Sequence, residues 1–114
     1  MSIQNEILNA IASRRSCRAY KPEQITAEEL EAVTTAGTWA ATAMGRQSPV
    51  MVAVQDKETL AELSRLNAAV MGTQNEPFYG APTAVLVLGE KNNPNGVQDA
   101  SLVMGNLLPV SYTH

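Results

Sequence analysis

The chain has 114 residues, eight basic and eleven acidic side chains, and a net charge of −3. That length allows one small domain with a modest core, and the acidic balance argues against sequence-independent nucleic-acid binding, which needs a basic surface. With 45% hydrophobic residues and charges of both signs spread along it, the chain reads as a soluble globular protein.

In chain order, Ile3, Ile7, Leu8 and Ile11 recur at helical spacing and predict a first helix from about Ile3 to Ser13. The basic stretch SRRSCRAYKP follows, and Lys21-Pro22 breaks any helix there. Thr26 and Glu29 form the pattern of a capping box, with Leu30, Val33 and Ala36-Gly37 on one face of a second helix reaching about Ala40. TAMGRQSP, Thr42 to Pro49, reads as a polar loop, and VMVAVQ, Val50 to Gln55, as a buried strand. Asp56 caps a third helix carrying Leu60, Leu63, Leu66 and Val70, which Gly72 stops.

Residues Thr73 to Pro82 hold two prolines and a glycine and are expected to be irregular; TAVLVLG then supplies a second strand, Thr83 to Leu88. Neither strand alternates polar with apolar residues, which predicts a sheet covered on both faces. After the turn EKNNPNG, a fourth helix begins at Val97, apolar over much of its circumference and so expected to be deeply buried, and ends at Leu108 before Pro109. Two strands make a marginal sheet with open edges. The pattern therefore reads as the front part of a larger fold, with further strands coming from a second subunit or from an absent remainder of the domain.

Cys17 is alone, which excludes an internal disulfide and suits a reducing cytoplasm. One His and one Cys give no zinc spacing. No apolar run is long enough to span a bilayer, and the start MSIQNEILNA lacks the basic leader and apolar stretch of a signal peptide.

Two stretches carry possible chemistry. Arg14, Arg15 and Arg18 lie within five residues, interleaved with Ser16. Guanidinium forks match phosphate oxygens, and a serine hydroxyl adds a further donor. The same residues equally complement the negative end of the preceding helix, which from the residues alone is the commoner role. In the second stretch, Gly45 permits backbone shapes barred to other residues, and Gln47 can both donate to and accept from a heterocycle edge. An ordinary helix-to-strand turn accounts for both residues as well. Trp39 and the methionines Met44, Met51, Met71 and Met104 read most simply as core fillers, and Asp99 as a first-turn acid favoured by its helix. Cys17 has no neighbouring His to activate it as a nucleophile.

Taken in order, the stretch from ILNAIASRRSCRAYKP to RQSPVMVAV, then APTAVLVLGE and DASLVMGNLL, resembles the amino-terminal part of the FMN-dependent nitroreductase family, up to about Leu108. The resemblance implies an α+β fold, the nitroreductase three-layer α/β/α sandwich, in a single domain over 1–114 that lacks the family's C-terminal strands. It implies an oxidoreductase that moves hydride from NAD(P)H through FMN to nitroaromatic or quinone-like small-molecule acceptors, as a homodimer; the cytoplasmic location rests on the lone Cys17. Arg14, Arg15 and Ser16 match the segment that holds the FMN phosphate and ribityl chain. Arg18 matches a basic residue near the pyrimidine end of the flavin, and Gln47 a glutamine that approaches flavin across the dimer interface. Gly45 stands where the family usually has Asn, leaving its backbone N–H to replace a side-chain contact. Pro109 falls where the family's helix runs on, and VSYTH matches no expected segment. Two rival readings are a fragment acting only through association, and a binder of another phosphate ligand such as a nucleotide.

Overall fold

Short-range signals set most element boundaries in the computed structural model, which describes residues 2–114. Helix α1 (Glu6–Ser13) begins after Asn5, whose side-chain oxygen accepts the Leu8 N–H at 2.8 Å. That cap leaves Ile3 outside the helix, three residues short of the expected start. Helix α2 (Ala27–Thr38) starts with the full capping box: Thr26 Oγ1 accepts the Glu29 N–H at 3.1 Å, and a Glu29 carboxylate oxygen accepts the Thr26 N–H at 2.9 Å.

Strand β1 (Val50–Val54) leads into helix α3 (Lys57–Met71), which Asp56 caps by accepting the Thr59 N–H at 2.9 Å. Gly72 ends it at φ 69°, a left-handed turn that a side chain would resist. Strand β2 (Ala84–Leu88) pairs with β1 in an antiparallel two-stranded sheet, with Val50 opposite Leu88 and Val54 opposite Ala84.

Helix α4 (Gly96–Thr113) differs from expectation twice. It runs straight through Pro109 to Thr113, taking VSYT into its last turn. The proline forfeits one hydrogen bond, the one its N–H would give the carbonyl of Gly105 four residues back. The helix is also buried on one stripe only, through Gly96, Asp99, Val103 and Leu107. Val97, Leu102 and Leu108 face solvent. Apolar periodicity shows which side chains would prefer cover, and here α2, the sheet and, to a lesser extent, α1 supply it.

The core is correspondingly small. Val33 of α2 packs with Val103 and Leu107 of α4, and Ala40, Met51, Val85, Val87 and Val110 close around them. Gly37 lets the two helices approach: a Cβ there would lie 2.9 Å from a Leu107 methyl and 2.5 Å from the Met51 sulfur. The sheet is not covered on both faces as expected, because Val50 and Val52 of β1 remain exposed. The radius of gyration is 15.6 Å, against about 13 Å for a compact domain of this length. Trp39 and Met44 are not core fillers either; they are 81% and 86% exposed, and Met71 and Met104 are also exposed, while Met51 alone of the four methionines touches the core.

The caps make stability depend on acid. The Thr26 backbone N–H and then its hydroxyl hold the Glu29 carboxyl below the ordinary 4.5, and the Thr59 hydroxyl and N–H hold Asp56 below 3.8. Groups with depressed folded values stabilise the fold above their unfolded values, and that contribution is lost as pH falls through the folded ones. The urea midpoint is therefore expected to decline as pH drops below 4.5, and Glu29→Gln to flatten that decline. Thr26→Ala, measured at neutral pH, is expected to cost about 1 kcal/mol.

Candidate functional site

The arginine segment leaves the C-terminal end of α1 and runs without regular structure to Thr26. Its far end is clasped to the sheet: Gln24 Nε2 donates to the Pro82 carbonyl at 2.8 Å, and Thr83 Oγ1 donates to Gln24 Oε1 at 2.5 Å. Gln55 Nε2 in turn donates to Thr83 Oγ1 at 3.0 Å, so both strand ends meet this clasp. Residues 14–23 thus form a strap held at both ends.

The strap divides its arginines by role. Arg15 Nη1 donates to the carbonyls of Ala12 and Arg14, each at 2.8 Å, which is the helix-end role. Arg14 is half-buried and Arg18 exposed; neither guanidinium forms an ion pair or hydrogen bond among the described residues, and the Ser16 hydroxyl is equally uncommitted. Two guanidiniums and one hydroxyl are thus available to an oxyanion, a donor set that fits a phosphate monoester. Cys17 is exposed, its thiol 3.3 Å from the Ala19 carbonyl.

The second stretch is a strained loop. A 3₁₀ turn covers Ala43–Gly45, and Met44, Gly45 and Gln47 have φ of 56°, 64° and 52°. For Met44 and Gln47 a left-handed backbone costs roughly 1–2 kcal/mol each. Internal bonds offset part of that: Gly45 N–H to the Thr42 carbonyl at 3.0 Å, Arg46 N–H to Ala43 at 3.3 Å, and Gln47 N–H to Thr42 Oγ1 at 2.9 Å. The Gly45 N–H is therefore already engaged, and it does not stand free to replace an asparagine side chain as expected.

Gln47 and Thr42 line a cavity of about 170 Å³ with Gly37, Pro49, Met51 and Val103. A larger cavity of about 480 Å³ lies between the β2 exit (Gly89, Glu90, Lys91) and the first turns of α4 (Gly96, Ala100, Ser101). None of Arg14, Arg15, Ser16 and Arg18 lines either cavity, and no hydrogen bond joins the strap to the loop among the described residues. Sequence reasoning missed Asp99 as a partner of this loop. Its Oδ1 accepts the Ala43 N–H at 3.0 Å across 56 positions, and no local pattern announces such a bond. Among the described residues no group of three or more His, Cys, Asp or Glu side chains is placed to hold a metal, and no helix is long and apolar enough to cross a membrane.

Comparison with solved structures places this geometry. An FMN-bound nitroreductase from Bacteroides fragilis is similar at 28% identity and TM-score 0.83, over 96% of this chain and 66% of its own. An FMN-dependent nitroreductase from Clostridium difficile is similar at 26% identity and TM-score 0.85, over 96% of this chain and 56% of its own. A third, with bound FMN, from Desulfitobacterium hafniense, is similar at 26% identity and TM-score 0.85, over 97% of this chain and 66% of its own. The chain thus spans 56% to 66% of the length of these three proteins. No curated protein matches. The model of the nitroreductase family matches residues 11–77, which include the strap and the strained loop. By that match and by its fold, this chain belongs to the nitroreductase family.

Proposed function

We propose that the strap binds FMN, with Arg14 and Ser16 at its phosphate and Arg18 towards its pyrimidine end, and that the assembled protein carries hydride from NAD(P)H to nitroaromatic or quinone-like acceptors. The observation that carries the cofactor part is the division among the arginines: Arg15 is spent on helix carbonyls, while its two neighbours keep free guanidiniums. Two similar structures hold FMN, which supports the choice of flavin over another phosphate ligand.

Bound flavin supplies a two-electron carrier that no side chain provides. The chain's own work is positional. Arg14 and Ser16 hold the anionic tail, Arg18 stands at the pyrimidine end of the ring, and the Gly45 turn presents the carboxamide of Gln47 to the ring beside a cavity lined by Gly37, Pro49, Met51 and Val103. Arg15 steadies the end of α1 from which the strap departs. We infer a homodimer, supported by the apolar side chains Ile7, Ile11, Trp39, Val97 and Leu108 left in solvent and by the unpaired sheet edges, and a cytoplasmic location, which the lone thiol of Cys17 suits.

The purified chain is expected to bind FMN, quenching flavin fluorescence on titration, with AMP as a weak competitor. Protein that neither retains nor takes up flavin overturns this reading and favours a chain acting only through association. Equal binding of AMP and FMN favours a general phosphate binder.

A further inference from the structure

We propose that Asp99 is the positioning residue of the Thr42–Gln47 loop: its carboxylate, fixed in the first turn of α4, holds the backbone at Ala43 and so sets where Gln47 stands. The functional consequence for FMN rests on the flavin reading above; the mechanical claim does not.

Asp99 is only 3% exposed, the one buried charged side chain among the described residues. Oδ1 accepts the Ala43 N–H at 3.0 Å. Across the loop from Thr42 to Pro49 two hydrogen bonds reach another part of the chain among the described residues, this one and a longer one from Asn93 Nδ2 to Ser48 Oγ at 3.3 Å; the bond to Asp99 is the one that holds the loop backbone and the one that comes from a helix. A segment with two non-glycine residues in left-handed backbone relaxes unless something outside it fixes its frame. Asp99 sits on an element suited to that task, since Val103 and Leu107, one and two turns further along the same stripe, anchor α4 to α2. The positive end of α4 favours a carboxylate in its first turn.

Oδ2 is buried and has no partner. A carboxylate oxygen removed from water without a donor is costly. A first-turn acid that merely complemented the helix would do so equally well from the exposed side. Asp99 instead points inward, and the bond it gains by doing so is the one to Ala43.

The test is amide hydrogen exchange on the whole chain without flavin, followed by FMN titration. Asp99→Ala is expected to speed exchange at Ala43, Gly45 and Gln47 by about tenfold or more while α2 amides stay within about twofold. Asp99→Asn, which keeps a carbonyl acceptor, is expected to restore loop protection to within about threefold. FMN affinity should follow the loop, about tenfold weaker in the alanine variant and near the parent in the asparagine one. Equal acceleration at every amide, unchanged exchange in the loop, or an asparagine variant as loose as alanine overturns the proposal.

Should Asp99→Ala not fold, Ala43→Pro deletes the donor instead. Thr42, at φ −132° and ψ 153°, already has the backbone that precedes a proline. Faster exchange at Gly45 and Gln47 is the expected result there, and unaltered exchange overturns the proposal. A parent chain that shows the exchange pattern but binds no FMN overturns the flavin reading alone.

Discussion

Replacing Arg14 and Arg18 together by alanine is expected to weaken FMN binding by about a hundredfold or more, as hydrogen bonds to charged groups contribute roughly 1.5–3 kcal/mol each. Both side chains reach solvent, so screening reduces the effect, and the loss should shrink as salt is raised. Arg15→Ala is the informative contrast. Its guanidinium is occupied with the Ala12 and Arg14 carbonyls, so its removal should fray the end of α1 and leave affinity within about tenfold. Fluorescence-quenching titration at two salt concentrations reads both outcomes. If the double variant binds FMN like the parent, the phosphate is held elsewhere.

A second large effect is expected in the core. Leu107 is buried at the crossing of α2 and α4, against the face that Gly37 leaves bare. Leu107→Ala is expected to cost about 2–5 kcal/mol, lost transfer energy plus the cavity left behind, out of a total that for a small domain is roughly 5–15 kcal/mol. Leu108→Ala removes the same atoms one position along, from a side chain facing solvent, and should cost about 1 kcal/mol or less. Urea unfolding followed by circular dichroism separates the two; equal losses would mean that the core lies elsewhere.

The elements legible in the sequence are those decided by neighbours a few residues apart. Thr26 with Glu29, Asp56 with Thr59, and Gly72 each complete a hydrogen-bonded motif whose parts lie within one turn, and all three stand where expected. Burial was not legible to the same degree. The spacing of Ile7 and Ile11, or of Val97 and Leu108, identifies an apolar side of a helix, yet whether another element lies over that side is a long-range matter. Trp39 shows the difference: its chemistry favours an interior, and its place just after α2 keeps it outside.

The site divides in the same way. Arginine density pointed to the strap, and only the fold shows Arg15 turned back on its helix and Gln24 fastening the far end to Pro82 and Thr83. Gly45 was legible as a residue with backbone freedom. That Met44 and Gln47 share its left-handed geometry was not, because their composition gives no reason for it; the bond from Ala43 to Asp99 supplies one.

The proline within α4 leaves a missing rung in that helix's ladder of backbone bonds. Pro109 has no amide hydrogen, so the carbonyl of Gly105, an exposed residue, has no helix partner there. Val103 and Leu107 before it and Val110 just after it pack in the core, so side chains rather than that backbone bond hold the two sides of the gap in line, and only the turn from Ser111 to Thr113 lies fully outside this grip.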